Sequence, residues 1–265
     1  MLACALATAT MLRAAESAAT ASTDDAAELA KKLSNPVAAL ISVPLQNNFD
    51  FGGGLNDDGF RYTLNVQPVV PFTLNEDWNL ISRTIVPFVH QENYIGNTTQ
   101  SGLSDIVQSL FFSPAKPTAS GWIWGAGPVL LLPTATDDRL GTEKFGLGPT
   151  AVALKQGGAW TYGVLANHLW SVAGNGSRQE VNATFLNPFV SYQFKTLTTA
   201  TVTTESTYDW HNSQWTVPLA ASVSQLVKFG QQPVSFSFGV RYYADKPAGG
   251  PDWGLRFSVT FLFPK

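Results

Sequence analysis

Charge is scarce in this sequence. Asp, Glu, Lys and Arg together make up 13% of its 265 residues, about half the share of an ordinary globular domain. A lateral surface that avoids charge suits hydrocarbon better than water. Long apolar runs are missing as well. No window approaches the ~20 consecutive apolar residues of a membrane-spanning helix, so a helical membrane protein is excluded. The net charge of −3 gives no basic footprint for nucleic acid, and no such partner is expected. Cys4 is the single cysteine, which excludes an internal disulfide.

What is present is alternation. Trp253, Leu255, Phe257, Val259, Phe261 and Phe263 fall on one face of the final segment, with Gly254, Arg256, Ser258 and Thr260 on the other. The preceding segment sets Val234, Phe236, Phe238, Val240 and Tyr242 against Ser235, Ser237, Gly239, Arg241 and Tyr243. Strict period two is a β-strand with unlike faces. The apolar faces carry too many large rings for a surface in water. Rings outside and hydroxyls and arginines inside are the reverse of a soluble protein, and are the pattern of a transmembrane β-barrel. A soluble lipocalin-like barrel would have to pack about half of these rings into a narrow interior.

Turn signals divide the chain from Ile41 onward into twelve strands, near 41–52, 60–72, 78–89, 103–113, 122–133, 145–156, 160–172, 181–194, 200–210, 215–228, 234–243 and 253–263. The fold class expected is therefore all-β, an antiparallel barrel at 41–265. With the amino terminus in the periplasm, the outer loops, including 90–102 and 134–144, are longer on average than the inner turns. Trp78, Trp122, Trp124 and Trp160 follow inner turns, while Trp170, Trp210, Trp215 and Trp253 adjoin outer loops. Two such girdles fit an interfacial belt in a bacterial outer membrane.

Ahead of the barrel, Leu2 to Leu12 is apolar and precedes Ala18, Ala19, Ala21 and Ser22, which predicts a removed export signal over 1–22. Its n-region carries no positive charge, which a start upstream of Met1 would explain. A lipid attachment site at Cys4 would need the apolar stretch before the cysteine, and here it follows. Residues 23–40 predict a short helix, with Asp25 and Glu28 at its start and Lys31 and Lys32 near its end. That segment is the right size to plug the lumen, with Leu29, Leu33 and Val37 turned to an apolar flank.

If the rings face lipid, the other faces line a passage. An ionised group facing hydrocarbon costs a few kcal/mol near the midplane, so Arg61, Arg83, Asp105, Glu205, Asp209, Arg241 and Arg256 are expected inside. Glu205, Asp209 or Asp50 would offset Arg241 and Arg256. Phe185, Phe189 and the glycines of 122–154 would form an opposite, oily flank, or would merely fill space and bend strands.

Catalysis finds little footing. His168 and Ser171 are three apart and fall on opposite faces of a strand. His211 and Ser213 have the two-residue spacing of an outer-membrane lipid hydrolase but sit in a tight loop with Asp209. Asp137, Asp138 and Glu143 lack the order of a calcium loop, and salt bridges to Arg139 and Lys144 account for them. No enzyme activity, metal or cofactor is expected.

The run from Leu132-Pro133-Thr134 through Asp137-Asp138-Arg139-Leu140-Gly141-Thr142-Glu143-Lys144-Phe145-Gly146 to Gly148-Pro149 resembles the meta-pathway phenol-degradation family of outer-membrane transporter-like proteins. So do Asn35-Pro36-Val37-Ala38, Gln67-Pro68, Ser113-Pro114, Gly127-Pro128, His168-Leu169-Trp170-Ser171 and Asn187-Pro188-Phe189, in order along 28–263. The resemblance implies uptake of aromatic or hydrophobic compounds and brings no catalytic residues. The last ring, Phe263, is followed by Pro264 and Lys265; many outer-membrane barrels instead finish on an aromatic residue read by the assembly machinery. The expected protein is a monomer in contact with outer-membrane lipid, passing a small, partly hydrophobic or aromatic solute, anionic ones included. The alternative is a barrel that transports nothing and binds a partner through loops 90–102 and 134–144.

Overall fold

The computed structural model describes residues 25–264; the expected signal segment over 1–22, including Cys4, lies outside them. A helix, α1, covers 25–33. Twelve antiparallel barrel strands follow, three of them interrupted once. They are β1 (Ile41–Gly53), β2 (Gly59–Val66 and Val69–Thr73), β3 (Trp78–Glu92) and β4 (Thr99–Leu103 and Ile106–Pro114). Next come β5 (Trp122–Leu132), β6 (Lys144–Gly157), β7 (Trp160–Gly174) and β8 (Asn182–Gln193). The last four are β9 (Thr198–Thr204 and Ser206–Asp209), β10 (Gln214–Phe229), β11 (Gln232–Asp245) and β12 (Trp253–Phe263). Each pairs with its chain neighbour, and β12 closes on β1 from Ile41↔Phe263 to Phe51↔Trp253. Closure leaves no open sheet edge, which hydrocarbon would not tolerate.

Each interruption faces a proline, which has no N–H to give the ladder. β2 breaks at Gln67-Pro68, where the Gln67 N–H reaches the Pro44 carbonyl (2.9 Å) and the Pro68 carbonyl accepts from Thr84 N–H (3.1 Å). β4 breaks at Ser104-Asp105, and Ser104 N–H bonds the Pro87 carbonyl (2.8 Å). β9 breaks at Glu205, between partners flanking Pro188. β3 and β4 also run farther than their apolar alternation suggests, so the expected loop 90–102 shrinks to 93–98. The added rungs pair His90-Gln91-Glu92 with Thr99-Gln100-Ser101, which are polar on both faces and so carry no periodic signal.

Large apolar side chains cover the outside: Val202 is 65% exposed, Phe238 55% and Val223 54%. Only a bilayer makes such a surface favourable. Ring pairs mark both rims, with Trp78–Trp124 and Trp160–Tyr192 at the inner one and Tyr208–Trp210 and Phe51–Trp253 at the outer one.

The buried core lies within the barrel, around residues 25–40. Ala26, Leu29 and Ala30 of α1, with Ala38 and Leu40, pack on Leu226 and Leu262 at the inner ends of β10 and β12. Leu33 packs against the same cluster. Leu29 and Leu33 thus meet the wall on the β10–β12 side, contrary to the expected apolar flank. Val37 alone takes that place, inserted among Ile81, Phe111, Val152, Leu154 and Leu165. Two wall amides grip the helix backbone: Gln156 Nε2 donates to the Lys31 carbonyl (2.9 Å) and Gln193 Nε2 to that of Ala27 (2.8 Å).

Candidate functional site

Register assigns the inner wall. Asn48 lies opposite Thr63 and Arg256, and Asp50 opposite Arg61 and Gly254, so Arg61 and Arg256 share the inward face with both. Arg241 follows from its pairing with Gly254 and Ala220. Arg83 follows from its rungs to Val69 and Ser109. Two of the four arginines are neutralised. Arg241 pairs with Asp50, both under a tenth exposed, and the Tyr243 hydroxyl donates to the same carboxylate (3.0 Å). Arg256 forms a two-pronged pair with Glu205 (2.9 and 2.7 Å) and donates from Nε to Asn48 Oδ1 (2.7 Å). Such forked contacts fix orientation as well as charge.

The other two arginines are held by neutral groups. Arg83 Nη2 donates to Gln67 Oε1 (3.0 Å). Arg61 Nε donates to Gln91 Oε1 (2.9 Å), and its guanidinium lies 4.0 Å from the centre of the Tyr94 ring. Gln91 is itself tied to Gln100 (2.8 Å), and both are buried at 2% exposure. Burial pushes the Tyr94 phenol up to about 12, so it stays neutral. Sequence reasoning missed Gln91, Gln100 and Tyr94, which it placed in the outer loop 90–102.

Asp209 and Asp105 do something other than balance arginines. Asp209 caps the turn after β9, accepting from the backbone N–H of His211 (2.8 Å) and Asn212 (3.1 Å). Asp105 accepts from Ala135 N–H (3.2 Å), Thr142 N–H (2.6 Å) and the Thr142 hydroxyl (2.7 Å), which moors the 134–143 loop. Phe185 and Phe189 pack against the Val37 cluster. A second tether holds the outer loops: Lys144, 2% exposed, reaches Glu180 (2.6 Å), which also bonds Ser171. The Lys144 hydrogen bond, then that from Ser171, keeps the exposed Glu180 carboxyl below the usual carboxylate range.

Three cavities open along the lumen. The outer one, of about 500 Å³, lies under the 139–142 turn and is lined by Arg61, Thr63, Val89, Leu131 and Leu140 among others. Two inner ones of about 290 and 210 Å³ share Leu33, Pro36, Asn187 and Thr260. The 290 Å³ cavity is bordered by the hydroxyls of β8–β12 such as Thr201, Ser222 and Ser237, and the 210 Å³ one by Arg83 and Lys32.

His168 bonds Thr184 (2.7 Å) on the face opposite Ser171, and among the described residues no hydrogen bond joins the His211 ring to Ser213. Asp137 is engaged by Arg139 (2.9 and 2.7 Å). Among the described residues, no three His, Cys, Asp or Glu side chains converge as a metal site.

A closed twelve-stranded barrel with rings outside, two aromatic rims and arginines and hydroxyls inside defines a transmembrane β-barrel of the outer-membrane kind. Solved structures share that fold. The COG4313 outer membrane channel from Pseudomonas putida F1 superposes with a TM-score of 0.67 at 13% identity, over 85% of this chain and 96% of that one. The NanC porin gives 0.51 at 9% identity over 84% and 100%, and the β domain of the Bordetella autotransporter BrkA 0.51 at 10% over 85% and 100%. No protein-family model and no curated protein matches the chain.

Proposed function

We propose that the protein is a monomeric, passive outer-membrane channel for small, partly apolar solutes, aromatic carboxylates foremost, and that it belongs to the meta-pathway phenol-degradation family its motifs resemble. The observation that carries this reading is the two-sided lumen. On one side stand arginines and hydroxyls; on the other, Ile81, Phe111, Val152, Leu154 and Leu165 form an apolar wall that Val37 covers while residues 25–40 are in place. A route for sugars or ions has no use for the second side, whereas a molecule with a ring and a carboxylate uses both. Residues 25–40 act as a plug, packed on the inner wall with two small cavities beside Leu33 and Pro36.

Swelling of proteoliposomes in benzoate, sucrose and octanoate tests this. Benzoate and octanoate passing faster than sucrose is the expected result. Impermeability to all three would favour the non-transporting barrel.

A further inference from the structure

The four inward arginines are not equivalent. Asp50 lies directly across from Arg61 in register, yet its carboxylate is turned to Arg241 and Tyr243. No carboxylate among the described residues comes within ion-pair reach of Arg61. Its guanidinium is nevertheless rigidly mounted. The Tyr94 ring supports its face, and the chain Gln91–Gln100–Thr98 (2.8 and 2.6 Å) fixes the acceptor for Nε. The Nη edge makes no hydrogen bond to a described residue, and Arg61 lines the 500 Å³ outer cavity.

The remaining lining suits a carboxylate attached to an apolar body. Pro87, Val89, Leu131 and Leu140 provide apolar wall. The two acids nearby are occupied: Asp105 by the loop it moors, and Asp137 by Arg139. A stacked arginine with its fork free is the group that recognises a carboxylate bidentately, and pre-mounting lowers the ordering cost of binding.

We infer that the outer cavity is a binding site for small apolar carboxylates, with Arg61 taking the carboxylate and Pro87, Val89, Leu131 and Leu140 holding the body. Gln91 is a positioning residue that acts through Arg61. The inference rests on the proposed channel function for its biological sense, but binding is measured apart from passage.

The test is equilibrium binding of benzoate and of neutral benzamide to the detergent-solubilised full chain, by ligand-observed NMR, with heat-modifiable gel mobility confirming a folded barrel. Arg61→Gln should raise the half-saturating benzoate concentration about tenfold, the scale of one lost charge-assisted contact, and leave benzamide unchanged. Arg61→Lys, which keeps charge without the fork, should fall between. Lys116→Gln, a charge loss in the inner turn, should bind like wild type. Benzoate binding equal in wild type and Arg61→Gln, or absent from wild type, would overturn the site. Swelling separates the two ideas: benzoate permeation with no Arg61 dependence of binding sinks the site alone, and binding without permeation sinks the channel reading alone.

Discussion

Arg256 on β12 grips Glu205 across the width of β10 and β11, through two bonds of 2.9 and 2.7 Å. Glu205 stands in the gap of β9 opposite Asn187, next to the rung position of Pro188.

Glu205→Gln leaves Arg256 uncompensated and adds one positive charge to the lumen. The reversal potential in a salt gradient should shift toward anion selectivity. Glu205 is 32% exposed, so the stability loss should be on the order of 1–2 kcal/mol, short of the ~3–5 kcal/mol for breaking a fully buried pair. Asp50→Asn, with both partners under a tenth exposed, should approach the larger figure. Urea unfolding in vesicles compares the two.

Val37→Asp places a carboxylate in the cluster of Ile81, Phe111, Val152, Leu154 and Leu165, where an unpaired charge is strongly disfavoured. The segment should leave the lumen and single-channel conductance should rise, as it should on deleting 23–40. Unchanged conductance in both variants would remove the plug.

Acid should loosen the outer loops. The Glu180 carboxyl titrates below its ordinary value because of Lys144 and Ser171, so its contribution is complete above the unfolded value and is lost as pH falls through the folded one. Protonation then strands the buried Lys144. Amide protection over 175–181 should drop at acid pH, while Glu180→Gln should show low protection at both neutral and acid pH.

The wall was legible in sequence because lipid enforces it. Every residue of Val234–Tyr243 and Trp253–Phe263 is sorted by what it faces, so period two gives phase, closure and the inward set at once. Contacts across the lumen carry no such period. Nothing local tells Asp50 to choose Arg241 over Arg61. Gln91 and Gln100 were hidden because, beyond the bilayer, both faces of a strand are polar and the alternation fades. The helix was visible from its ends, but the faces of Leu29 and Leu33 depended on a wall that the helix sequence does not encode.

The outward orientation of the apolar face is the claim on which everything stands, and Val223 and Ser222 on β10 test it most directly. They are neighbours near mid-strand, one facing out at 54% exposure and the other lining the inner cavity. Urea unfolding of Val223→Lys in phospholipid vesicles should show a loss of about 2–4 kcal/mol, and Ser222→Lys a much smaller one. Equal losses, or a larger one at Ser222, would contradict the assignment of inside and outside.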